Sequence, residues 1–194
     1  MSEIGYYWKT IDNFLIKNNN AIYNSLLGPA DEKEINNLEN IANVKLPDAF
    51  KESLLIHNGQ DENNGIITFI DYQKLLSVHE MVKDYKMFCG LFENEIIDFI
   101  KPDECKYIKN YYIYNNKWLK ITESNSDGLI MDFDPAEKGR VGQIFFRPHD
   151  DNPADKIIAE TYEEWLKIIC ERLETGLYEI EDGEIVFEDF TFHD

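Results

Sequence analysis

The sequence predicts an α+β fold, a mixed and mostly antiparallel sheet flanked by helices within a single domain, and three observations carry that prediction. Apolar residues recur at helical spacing through the first half of the chain, short turn-punctuated β-prone runs follow from about residue 107, and a capped amphipathic helix comes after them. A chain of 194 residues is long enough to fold without disulfide or metal staples, since folding at this size buries roughly 70% of the unfolded surface. Twelve Phe and eleven Tyr promise a ring-rich core.

Trp8, Ile11 and Leu15 form one stripe and Ile22 and Leu26 lie beyond it, with Asn18-Asn19-Asn20 between them, so residues 4 to 27 read as two helices. Gly28-Pro29 stops the second. Asp31, with Glu34 three residues later, predicts a capping box on a third helix whose Ile35, Leu38 and Ala42 face the core. Leu46-Pro47 opens a fourth helix, because the first turn tolerates a proline without an N–H. Phe50, Ser53, Leu54 and His57 share its face, and Asn58-Gly59 ends it in a left-handed turn. Gly65 to Ile70 is β-prone. Residues 72 to 87 return to helical spacing through Leu75, Leu76, Val78, Met81, Val82 and Tyr85.

Tyr111 to Tyr114, Trp118 to Glu123, Leu129 to Phe133, Val141 to Phe146 and Lys156 to Glu160 read as short strands. Turn-forming residues separate them at Asn115-Asn116, Asn125 to Gly128, Asp134 to Gly139 and Pro148 to Pro153, which predicts consecutive hairpins. Thr161 to Leu173 is a helix with the stripe Tyr162, Trp165, Leu166, Ile169, Cys170 and Leu173, a Thr161–Glu164 capping box and a closing Gly176. Asp182-Gly183 then turns a hairpin with Ile180 opposite Ile185 and Tyr178 opposite Phe187 on one face. The other face sets Glu181 against Glu184, a pair tolerable only in solvent. Without repeats or a linker, one domain spans 1–194: an N-terminal helical part to residue 45, a core over 46–175, and an acidic hairpin and tail over 176–194.

The net charge of -19 argues against nucleic acid or an anionic membrane as a direct partner. The charge is uneven: residues 150–194 hold fifteen Asp and Glu against Lys156, Lys167 and Arg172. Glu171, Glu174, Glu179, Glu181, Asp182, Glu184, Glu188 and Asp189 are therefore the candidate partner-binding residues, an acidic surface able to steer a basic partner. Cys89, Cys105 and Cys170 lack metal or redox spacing and read as free thiols, at least two of them buried. The start of the chain lacks the basic residues and apolar run of a signal peptide, and no apolar stretch is long enough to span a bilayer, so a reducing cytoplasm is expected.

Catalytic, cofactor and metal sites find no support in the sequence. His149-Asp150 resembles a base with its orienting carboxylate, but neighbouring strand-end residues point in different directions, and no nucleophile elbow or oxyanion loop accompanies them. Asp127, Asp132 and Asp134 lie within eight residues, yet not at the spacing of a calcium-binding loop. His57, His79, His149 and His193 are scattered, and no phosphate-binding glycine motif occurs.

One further pattern spans nearly the whole chain. It comprises Trp8, Gly28-Pro29-Ala30 with the acidic helix to Glu39, Leu46-Pro47, His57-Asn58-Gly59-Gln60 and Trp118-Leu119-Lys120-Ile121. Asp127-Gly128-Leu129, Asp132-Phe133-Asp134-Pro135, Gly142-Gln143, His149-Asp150, Trp165-Leu166 and Glu174-Thr175-Gly176-Leu177-Tyr178 complete it. In this order the motifs resemble the SUKH superfamily, in the branch related to fungal cell-wall assembly and glucan-synthesis regulators. Ser126-Asp127 and Arg147-Pro148 depart from the pattern without touching a chemical role. The resemblance implies an α+β fold and no catalysis. It implies partnership with a protein: bacterial members look like immunity proteins that neutralise toxins, often nucleases, and fungal members look like scaffolds in cell-wall signalling. The shared residues are expected to be structural, Gly128 and Gly142 for backbone conformation and Trp118 and Trp165 for packing.

Overall fold

In the computed structural model, which describes residues 1–61, 67–92, 105–109, 115–149 and 153–187, helix α1 (Glu3–Asn18) buries Ile4, Trp8, Ile11 and Leu15, one side chain per turn. Asn19, in the middle of the asparagine run, ends α1 and caps α2 (Asn20–Ser25) through the Ile22 N–H. Helix α3 (Glu32–Ala42) starts with the predicted capping box. Asp31 accepts the Lys33 N–H at 2.8 Å, and Glu34 takes the Asp31 N–H at 3.4 Å.

Helix α4 (Asp48–Leu54) departs from expectation at both ends. Pro47 stands at the N-cap, outside the first turn, and the helix stops at Leu54, short of Asn58-Gly59. That pair serves the next helix instead. Gly59 has φ +72° and lies so close to the Leu76–Ser77 backbone that a Cβ would sit 2.5 Å from the Leu76 carbonyl carbon. The Asn58 Oδ1 accepts the Val78 N–H at 2.8 Å.

Residues 72 to 77 are not helical. Strand β1 (Lys74–Leu75) comes first, and α5 (Val78–Phe92) begins only after Ser77. The Ser77 hydroxyl accepts the Glu80 N–H at 3.2 Å, while the Ser77 N–H donates to the Glu80 carboxylate at 2.9 Å. This reciprocal cap fixes a helix start that the Leu75-Leu76 run obscures.

Strands β2 (Trp118–Lys120), β4 (Gly128–Asp132) and β5 (Gln143–Arg147) form an antiparallel sheet with β4 central and Trp118, Asp132 and Gln143 in register. The predicted strand over 118–123 divides at Ile121, so that β3 (Thr122–Glu123) leaves to pair with β1. Strand β5 starts two residues later than expected because Gly142, with φ +88°, still belongs to the turn and Val141 is exposed. No strand forms over 156–160: only Ala159 bridges to Ile144. Asp155 turns instead to the loop at 106–108, accepting the N–H groups of Lys106, Tyr107 and Ile108 at 2.7, 2.8 and 2.9 Å. Of the β-prone run 65–70, residues 67–70 carry only a bridge from Ile70 to Gln73. Gly65 and the strand expected over Tyr111 to Tyr114 lie outside the described residues.

Pleating sends Leu119, Leu129, Met131 and Ile144 into the main core, whereas Trp118, Ile130 and Phe145 form a smaller cluster with Ile108 on the other face. Helix α6 (Tyr162–Thr175) closes the main core against α1 and α4. Thr161 caps it through the Glu164 N–H, and Gly176 ends it at φ +75°. Glu164 reaches back to the Glu160 N–H at 2.7 Å, not to that of Thr161, so the capping box is only half formed. Where α1, α4 and α6 meet, the Trp8 Nε1–H donates to Ser53 Oγ at 2.7 Å, and Ser53 Oγ shares a hydrogen bond of 2.7 Å with the Tyr162 hydroxyl. Cys170 is buried, but Cys89 and Cys105 are half-buried, which corrects the expectation of two buried thiols. No described helix is long and apolar enough to cross a membrane.

Candidate functional site

The acidic surface predicted at the end of the chain is built on the last turns of α6 and the hairpin of β6 (Glu179–Glu181) and β7 (Glu184–Val186). The hairpin has the predicted register, with Ile180 opposite Ile185 and Glu181 opposite Glu184. Asp182 and Gly183, with φ of +50° and +90°, make the two-residue turn.

The hairpin pairs with no other strand among the described residues, and side chains from distant segments hold it. The Asn19 Nδ2–H donates to the Gly183 carbonyl at 2.6 Å. The Tyr72 hydroxyl donates to Glu181 at 3.0 Å, and the Thr68 hydroxyl donates to Glu184. The like-charged pair is therefore separated by its bonds: Glu181 stays exposed, while Glu184 is half-buried and its pKa is raised by that burial. The Asp71 N–H donates to the Ile185 carbonyl at 2.8 Å, and Asp71 Oδ1 accepts the Phe187 N–H at 2.7 Å. Arg172 lies over the Phe187 ring at 5.3 Å, and Tyr178 meets Phe14 edge-on at 5.0 Å.

Glu171, Glu174, Glu179, Glu181 and Asp182 are exposed around these anchors. Glu188 and Asp189 lie outside the described residues. The apolar face expected of the hairpin is only partly buried: Ile185 and Phe187 enter the core, but Ile180 remains 52% exposed. Leu177 at 57% and Tyr72 at 47% are exposed on the same part of the molecule. Acidic side chains thus share this surface with apolar ones, a combination that charge counting missed and that resembles a polar rim around an apolar contact.

Several of the motif residues lie in the core or bond within it. Trp8 is buried against His57, with ring centroids 4.8 Å apart, and Leu46 and Trp165 are core residues. His57 bonds to the Leu27 carbonyl at 3.0 Å and to Asp12 at 3.1 Å. Burial pulls its pKa down, but these two bonds and the Asp12 charge outweigh burial and raise it. Gly128 passes so close to Thr122 that a Cβ would sit 2.3 Å from its carbonyl oxygen. Asp132 is completely buried. It accepts the Asp134 N–H at 2.9 Å and the Gln143 Nε2–H at 3.0 Å, and the indole N–H of Trp118 lies against it without closing a bond of normal geometry. Burial pushes the Asp132 pKa up to about 6, against the pull of these donors. The Gln143 amide also donates to the Tyr107 carbonyl at 2.8 Å, and the Gly142 N–H donates to the Asp132 carbonyl at 2.6 Å.

Asp127, Asp132 and Asp134 are each taken up separately: Asp127 by the His149 N–H at 2.6 Å and Asp134 by Lys109 and Asn115. Among the described residues no group of three His, Cys, Asp or Glu is placed to hold a metal ion. His149 is exposed, and Asp150 lies outside the described residues. Two residues that organise the molecule, Asp71 and Asp155, carry no sequence signal, because each bonds to backbone far away in the chain. Burial pushes Asp71 up to about 7, with the Phe187 bond and Arg172 opposing. Burial would also raise Asp155, but its three amide bonds hold it below the usual carboxylate range.

Residues 29–168 match the family model described as the SMI1 / KNR4 family (SUKH-1). The chain is 19% identical over 190 residues to the "Cell wall biosynthesis/cell cycle regulator smi1" of Schizosaccharomyces pombe, covering 91% of this chain and 37% of that protein. It is 22% identical over 212 residues to the "Glucan synthesis regulatory protein" of Neurospora crassa, covering 90% of this chain and 39% of that protein. The chain thus spans well under half the length of these relatives. The family match ends at Ile168 in α6, short of the acidic residues of the hairpin surface.

Proposed function

Because the chain belongs to the SMI1/KNR4 family (SUKH-1), we propose that it acts by binding another protein, without catalysis, through the acidic surface at the end of α6 and on the β6–β7 hairpin. In this reading it is a cytoplasmic immunity protein that neutralises a toxin with a basic surface, such as a nuclease. A nuclease presents cations to its phosphate substrate, and an anchored acidic face can occupy them and speed encounter. The observation that carries the reading is that Ile180, Leu177 and Tyr72 stay exposed amid Glu179, Glu181 and Asp182, on a hairpin held in place by Asn19, Thr68 and Asp71. The resemblance to a superfamily with bacterial immunity proteins supports the choice of partner.

A second reading, a regulatory scaffold in cell-wall assembly or signalling, is favoured by the names of the two fungal relatives. Co-expression separates the two. The product of a neighbouring gene should be toxic alone, and co-expression of this chain should relieve the toxicity and yield a complex whose association slows with salt. A set of harmless, co-purifying cell-wall proteins with no toxic neighbour would replace the first reading with the second.

A further inference from the structure

Away from the hairpin, α3 and α4 leave an open groove of about 290 Å³ between them. Ile35 and Leu55 supply its apolar lining, and Glu32, Asp48 and Glu52 its acidic one. Leu55, at the C-cap of α4, is 41% exposed. The groove's cation, Lys51, is held by Asp48 at 3.0 Å and Glu39 at 3.9 Å, so it does not offset Glu32 and Glu52. Beyond Glu52 the acidity continues: the pKa of Glu163, in the first turn of α6, is raised chiefly by the neighbouring Glu3 carboxylate, with burial and the Glu52 charge adding to it. Lys167, further along α6, is paired with Glu171 at 3.7 Å.

Glu52 accepts the Ser2 hydroxyl on one carboxylate oxygen, but a purely apolar occupant would still strip water from Glu32 and from the other Glu52 oxygen, and a purely polar one would leave Leu55 wet. Lys and Arg satisfy both linings at once, because their aliphatic stems lie along apolar surface while their charged heads reach carboxylates. We propose that this groove is a second protein-docking site, for an amphipathic segment that lays a leucine-sized side chain against Ile35 and Leu55 and directs Lys or Arg to Glu32 and Glu52. The site is separate from the hairpin surface. The two lie toward opposite ends of α6, whose 14 residues extend roughly 20 Å at about 1.5 Å per residue. The groove can therefore bind or fail to bind whether or not the hairpin meets a toxin.

The test is an ¹⁵N NMR titration of the whole chain with the peptide acetyl-Arg-Leu-Leu-Arg-amide at low ionic strength. Saturable shifts are expected at the Asn36 and Leu55 amides. The double variant Glu32→Gln/Glu52→Gln should weaken binding about tenfold, and Leu55→Ser should also weaken it, while Glu179→Gln/Glu181→Gln should leave it within about twofold. If Leu55→Ser disturbs the fold, the two glutamate pairs decide alone. Shifts centred on the hairpin, equal losses in both glutamate pairs, or equal binding of acetyl-Arg-Ser-Ser-Arg-amide would each overturn the proposal.

Discussion

Asp71 holds Phe187 as a neighbouring strand would: its carboxylate accepts the Phe187 N–H at 2.7 Å, and its own N–H donates to the carbonyl of Ile185, two residues earlier, at 2.8 Å. Asp71 is buried, its backbone is left-handed at φ +52°, and its pKa is pushed up to about 7.

A pH dependence follows from Asp71. Its folded pKa lies above the unfolded value of 3.8, so the folded chain retains a proton that the unfolded chain has released between about pH 4 and 7. Stability therefore falls as pH rises through that window and levels off above it, and Asp132, at about 6, acts in the same direction. Asp71→Asn keeps an acceptor for the Phe187 N–H and removes the titration. Urea unfolding should show the variant gaining about 1–3 kcal/mol over wild type near pH 8, with a shallower slope below. An unchanged slope would assign the pH dependence to Asp132 and the general charge of -19 instead.

On the hairpin, the apolar and acidic residues should separate kinetically. Once a partner is in hand, Ile180→Ala should raise its dissociation rate about tenfold, while Glu179→Gln/Glu181→Gln should mainly slow association and flatten its salt dependence. Surface plasmon resonance at several ionic strengths reads both. Wild-type kinetics for both variants would move the contact off the hairpin.

The chain from Trp8 through Ser53 to Tyr162 ties three helices together. Ser53→Ala leaves a buried indole N–H and a buried phenol unsatisfied and should cost about 2–4 kcal/mol in denaturant unfolding, against about 1 kcal/mol for Tyr162→Phe, which leaves the Trp8 bond intact. Equal losses would mean that packing, not hydrogen bonding, matters there.

Two glycines offer a matched contrast. Gly59→Ala forces a Cβ into the Leu76–Ser77 backbone at positive φ and should cost on the order of 2–4 kcal/mol. Gly28→Ala meets nothing within 4 Å and should stay within about 0.5 kcal/mol of wild type. Thermal melts of the pair decide whether close approach is what requires glycine at 59.

Features encoded by neighbouring residues were legible in the sequence. The Asp31–Glu34 box, the Thr161 cap, the Gly176 stop and the Asp182-Gly183 register all depend on residues within a few positions of one another. Misreadings arose where tertiary contacts decide. The Leu75-Leu76 run looks helical, but Leu75 pairs in β1 with β3 and the Leu76 N–H donates to the Ile121 carbonyl, and Gly59 looks like a helix stop but answers to the Leu76–Ser77 backbone. For the candidate surface, the acidic residues could be counted along the chain. The exposure of Ile180 could not, because alternation gives it the same face as Ile185 and only the packed molecule separates them.

The hairpin's tethers have a consequence for the order of folding. Asn19, Thr68, Asp71 and Tyr72 reach hairpin residues between 109 and 164 positions away in sequence, and closing such long loops precedes any reward from their contacts. Docking of the hairpin is therefore expected at the end of assembly, after α1 and the 68–72 turn are in place. A nascent or misfolded chain carries the same negative charges without the anchored surface, so binding at the proposed surface would report that the protein has finished folding.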